Sequence, residues 1–165
     1  MRRILTLSTA MAVLAIGTAV AFASGDTSTR SKWKHHVIHV QRVVGQDVYL
    51  DLDHSATADK PAPDSIGDED VFWGEFFIGE RKVGFDGGVC KLVRMPGWYH
   101  CVATNVLQKG SITAQFLTDF SGPGRFAITG GTGAYRSASG EVLYVPKPDG
   151  GADVTMKFTT SRRDT

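Results

Sequence analysis

The 165-residue chain is short of cysteine, with two, and short of net charge, with a formal value of +1. It also has a single asparagine. Each scarcity excludes something. Balanced charge leaves no basic surplus of the kind that drives nucleic-acid binding. Two sulfurs are too few for a structural zinc site. The asparagine, Asn105, is followed by Val106 and Leu107, so there is no N-glycosylation sequon. Gly-x-Ser-x-Gly is absent, so no Ser-His-Asp hydrolase is supported. Beyond the first residues no helix-period segment runs longer than two turns, which excludes helical folds.

The N-terminus is the long apolar run. Arg2 and Arg3 precede an uncharged stretch from Ile4 to Val20, and Ala21-Phe22-Ala23 has the small-x-small form of a signal-peptidase site. Residues 1–23 therefore read as a signal peptide of a secreted protein that has no membrane segment after cleavage. An uncleaved anchor is the alternative, because the run is close to bilayer length. No cysteine lies near the cut, which argues against a lipoprotein. Loss of Arg2 and Arg3 leaves 16 Lys and Arg against 17 Asp and Glu, a net charge of about −1. Residues 24–35 are polar and expected to be disordered.

Export makes the cysteines readable. Cys90 and Cys101 flank Met95-Pro96-Gly97, a turn signal between two strand-like runs. A reversal at Met95-Pro96 puts position 90 opposite position 101. An oxidising compartment then permits a disulfide across a hairpin. Two buried free thiols are the alternative.

The rest reads as strands. His36–Val44 is rich in β-branched residues, Gly45-Gln46 interrupts it, and Val48–Leu52 continues it past a bulge. His54–Gly67 is a long loop. Then come Asp70–Ile78, Lys82–Val93, Trp98–Gln108, Ser111–Asp119, Arg125–Thr129, Glu141–Pro146 and Asp153–Thr160, joined by short Gly- and Pro-rich turns. Eight antiparallel strands with short turns predict an all-β closed barrel over 36–160. A sandwich is the alternative. In Asp70–Ile78 both faces are largely apolar, so that strand has something dry on each side.

The stretch Phe126–Gly140 (FAITGGTGAYRSASG) reads as a barrel corner. Its glycines match neither dinucleotide nor P-loop spacing, and no helix follows. The segment AITGGTGAYRSASGEV resembles the signature of the allene oxide cyclase barrel superfamily, which includes the plant dirigent proteins. Gly67-Asp68, the Gly84…Gly88 strand and the Lys109-Gly110 turn fit it too. The resemblance implies an eight-stranded antiparallel barrel with an apolar lumen and a homo-oligomer, typically a trimer in the plant proteins. It implies no cofactor. The chemistry it implies is confinement of a reactive apolar intermediate, whose cyclisation or coupling is directed by holding one conformer. Dirigent proteins often read x-Phe-Arg-Met-Ala-Arg-Gly after the GGTG. Tyr135, Arg136, Ala138 and Gly140 fit that run. Ala134 replaces the acid of some dirigent proteins, and Ser139 replaces the second Arg. The plant chemistry is thereby less supported than the barrel. Exported bacterial members are also similar.

Candidate site residues follow from polarity inside strands. Glu75 and Asp86 are acids in apolar or Gly-rich strands. A carboxylate in an apolar lumen can act as general acid or base. Asp68 and Asp70 at a strand mouth are alternatives, though acids at strand ends are usually solvated. Asn105 and Tyr144 can orient a ligand. Arg136 either holds a carboxylate or phenolate at the rim or ties the glycine turn. Trp73 is either a stacking residue or core. Alternation alone leaves the facing of each open. His35 and His39 share a strand face about 13 Å apart, and His36 points the other way, so a shared metal is not expected. The partner expected is a small apolar molecule. Binding without turnover, or a purely structural module with a filled lumen, are the other readings.

Overall fold

The computed structural model describes residues 33–53 and 64–161. The signal-peptide assignment at 1–23, the start of the polar segment and most of the 54–67 loop lie outside the described residues.

Eight strands close into one barrel in chain order, each antiparallel to the next. They are β1 (Trp33–Leu50), β2 (Glu69–Ile78), β3 (Arg81–Arg94), β4 (Trp98–Leu107), β5 (Gly110–Thr118), β6 (Gly124–Gly131), β7 (Ser139–Pro146) and β8 (Ala152–Ser161), with one 3-10 turn at Gly133–Tyr135. The closure is made by β1. Trp33–Arg42 pairs with β8, and Gln41–Leu50 pairs with β2. A sandwich has no such shared strand. The interruption at Gly45-Gln46 is a bulge inside one continuous strand. The strand begins at Trp33, so the last three residues of the 24–35 segment are ordered rather than disordered. The end of β8, Thr159 to Ser161, supplies their pairing partners.

The barrel has two unlike ends. At the base, β2 turns into β3, β4 into β5 and β6 into β7. Phe76, Ile112 and Met156 are fully buried there, packed with Val40, Ile128 and Phe158. Burying each such side chain stabilises by roughly 1.5–3 kcal/mol. Tyr135 lids this core, its ring edge-on to Phe158 at 5.7 Å. The glycine corner seats it. Thr132 N–H donates to Ser111 O at 2.8 Å, and Ala134 N–H donates to Lys109 O at 2.8 Å. Gly133 has φ +58°, and a Cβ there would strike the Lys109 carbonyl. Only glycine suits that position.

At the mouth lie the β1–β2 connection and the turns β3–β4, β5–β6 and β7–β8. Cys90 and Cys101 face each other across β3 and β4 and form a disulfide. Both are buried. In the β1–β2 connection Asp68 is the anchor. Its carboxylate accepts from Tyr49 Oη at 2.7 Å, Leu52 N at 3.0 Å, Ser65 N at 2.7 Å and Ser65 Oγ at 3.2 Å. These donors, Tyr49 first and then Ser65, hold its pKa below the usual carboxylate value. Burial first, and then the same contact, push the Tyr49 phenol up. Asp68 is therefore a buried tie between strands, not a solvated end.

Candidate functional site at the barrel mouth

Alternation along each strand decides what enters the lumen. On β1 the inward series is Ile38, Val40, Arg42 and Val44, so a guanidinium follows two apolar side chains into the barrel. On β3 it is Asp86 and Cys90, and on β4 Ala103 and Asn105. A buried charge needs a partner. Arg42 Nε donates to Asp86 Oδ2 at 2.7 Å, and the two side chains are 6% and 9% exposed. The guanidinium also sits 5.6 Å from the centroid of the Phe72 ring. The other carboxylate oxygen, Asp86 Oδ1, is buried and has no hydrogen-bond partner among the described residues.

Asp86 is one of the residues lining a cavity of about 220 Å³. Its walls are aromatic toward β5–β7. Phe116 and Phe126 stack at 3.6 Å, and Tyr144 follows at 5.8 Å from Phe126. Burial pushes the Tyr144 phenol up, with Arg42 opposing and Asp86 adding to the rise. Tyr144 is thus a neutral donor at ordinary pH. Asn105, opposite Asp86 across the β3–β4 ladder, spends its amide on Ile112 O at 3.1 Å and is fixed to the wall. Asp70 and Asp47 line the outer part of the cavity. Burial, then Asp47, raise the Asp70 pKa, while Arg42 pulls it down.

Of the sequence-expected site residues, Asp86, Asn105 and Tyr144 come together in the lumen. Three others do not. Glu75 is on the outer wall, paired with Lys82, because its neighbours Gly74 and Phe76 take the inward face. Trp73 shares that outer face, is 43% exposed and lies over the bulge, where a Cβ at Gly45 would touch its ring at 2.6 Å. Arg136 is exposed beside the 3-10 turn at the base, the opposite end from Asp86. Arg42, Asp47, Phe72, Phe116 and Phe126 were not anticipated. The signal for Arg42 was available: a charge in the inward register of an apolar strand. His36 and His39 bond separately, to Thr160 Oγ1 and Thr155 Oγ1, each at 2.9 Å.

The barrel has the same fold as solved dirigent and cyclase structures. Similar solved structures include a pyocyanin demethylase (28% identity, 74% of this chain and 99% of that chain, TM-score 0.62). A dirigent pterocarpan synthase is 18% identical over 79% of this chain and 93% of its own, with TM-score 0.60. An exo-specific intermolecular Diels–Alderase is 15% identical over 77% and 99%, with TM-score 0.58. No protein-family model and no curated protein sequence matches the chain.

Proposed function

We propose that the barrel holds a small, largely apolar molecule in its mouth cavity and directs its cyclisation or coupling without a cofactor. The carrying observation is Asp86, whose side chain lines an aromatic-walled cavity and whose Oδ1 is a buried acceptor without a partner among the described residues. An orphaned buried acceptor is costly unless something donates to it. A ligand O–H or N–H fills that role. Arg42 then fixes the carboxylate, Asp86 accepts or takes the ligand's proton, and Tyr144 donates to a developing negative oxygen. The rings of Phe116 and Phe126 restrict the ligand to one conformer. About 150 Å³ suffices for benzene, so the cavity admits a somewhat larger ring system. Names borne by similar structures, a Diels–Alderase and a dirigent pterocarpan synthase, support this reading.

The test is mass spectrometry of small molecules released from protein purified without denaturant from its own host. A ring-bearing molecule should be carried by the wild type and lost from Ala103→Trp, which fills the lumen. Equal recovery from both would sink the proposal.

Two further parts of the reading concern setting. The disulfide supports an exported, extracellular protein, and N-terminal sequencing of the mature chain should begin at Ser24. Outside the barrel, Val48, Val71 and Val89 are exposed in one cross-strand row, with Trp73 and Phe85 beside them. Such a row supports a homo-oligomer, a trimer on the resemblance. Sedimentation of Trp73→Glu should show a smaller species than wild type.

A further inference from the structure

We infer that the molecule taken by the mouth cavity is an aromatic cation. The inference rests on the lumen-binding reading above and adds the ligand's charge. Three carboxylates line the cavity, from Asp47, Asp70 and Asp86, against one basic side chain, Arg42. Arg42 is already committed. Its Nε bonds Asp86, and its face rests on Phe72. The pair is neutral as a unit, so Asp47 and Asp70 add net negative charge to the lining, with Arg42 offsetting Asp70 only in part. They sit on adjacent strands just past the bulge, where Asp47 pairs with Phe72 and Tyr49 with Asp70. Burial and then Asp47 raise the Asp70 pKa, and Arg42 lowers it.

Asp47 is exposed at the rim and Asp70 is half-buried beside it; the two carboxylates repel each other, and a bound cation relieves both. The rest of the lining favours the same ligand. Aromatic faces present negative potential and hold organic cations. Phe116 and Phe126, stacked on each other, stand opposite the acids, so a flat ring packs on the open end of that stack while its positive atom points to Asp70 and Asp47. An anionic ligand would meet the two free carboxylates and find Arg42 occupied. Asp86, which lines the cavity and whose Oδ1 has no hydrogen-bond partner among the described residues, supplies the inner contact for an N–H or O–H on the same ring.

The experiment compares three bicyclic probes of near-equal size on the full mature chain by isothermal titration calorimetry. They are 1-methylquinolinium (cation), 1-methylnaphthalene (neutral) and 1-naphthoate (anion). The cation should bind about tenfold tighter than the neutral probe or more, and the anion weakest. Raising salt should narrow the gap. In the Asp47→Asn, Asp70→Asn double variant, checked for folding by circular dichroism, the cation's advantage should fall to near parity. Neutral binding equal to cation binding in the wild type overturns the charge inference while leaving lumen binding intact. Failure of all three probes overturns both. If the double variant does not fold, the wild-type ranking and its salt dependence still decide.

Discussion

The two ends of this barrel obey different rules. At the base the lumen is closed by Phe76, Ile112 and Met156, with Tyr135 as a lid. At the mouth the same strands open into a cavity whose lining mixes rings with Arg42, Asp86, Asp70 and Asp47. The base is built for stability and the mouth carries its cost. A carboxylate oxygen of Asp86 without a partner among the described residues, and the neighbouring acids Asp47 and Asp70, are features that a purely structural barrel would replace with aliphatic side chains. Substitutions should therefore separate by end.

The largest separation is between Phe76 and Phe126. Phe76→Ala should destabilise by about 3–5 kcal/mol in denaturant unfolding and leave ligand affinity unchanged at temperatures where the protein stays folded. Phe126→Ala, half-buried at the mouth, should cost less stability but most of the affinity. Equal losses at both ends would erase the distinction. Asp86→Ala, which strands Arg42, should cost about 3–5 kcal/mol. The double Asp86→Leu, Arg42→Met variant should recover most of that stability and none of the binding. Removing the disulfide with Cys90→Ser and Cys101→Ser should cost about 2–3 kcal/mol, because the loop it closes is short.

Titration separates the ends by pH. At the base, burial and then Lys34 and His35 lower the pKa of His36, which stacks on Phe158 at 4.8 Å. The unfolded chain then binds more protons, so this contribution is full above the ordinary 6.5 and is lost as pH falls through the depressed value. At the mouth Asp68 behaves likewise in a lower window, losing its contribution as pH falls below the ordinary 3.8. Urea midpoints from pH 8 to 3 should fall in two steps. His36→Phe should remove the upper step alone. The smallest effect is expected at Glu75→Gln. It breaks an exposed pair with Lys82, so stability should change by under about 1 kcal/mol and binding not at all.

The barrel was legible because its signals are local. Turn chemistry and β-branched runs mark strands whatever the register, and Cys90 with Cys101 is counted directly from one turn. Facing was not legible. Glu75 and Asp86 look alike in sequence, since each is an acid in a glycine- or phenylalanine-rich strand. Only the pairing of Gly74 with Asp86 and of Glu75 with Phe85 shows that one points in and the other out. The glycines also divide. A Cβ at Gly133 would clash, whereas nothing lies within 4 Å of one at Gly130. Arg42 is readable as a charge in an apolar register, but its pairing with Asp86, 44 residues away, is not, because no local pattern couples two positions at that distance.

The claim that the mouth is the working end is tested most directly by nitrogen-15 amide shift mapping of the barrel during titration with 1-methylquinolinium. Shifts should concentrate at Asp86, Asn105, Tyr144 and Phe126 and leave Ile112, Met156 and Arg136 still. Shifts confined to the base or to the outer wall around Trp73 would contradict the account.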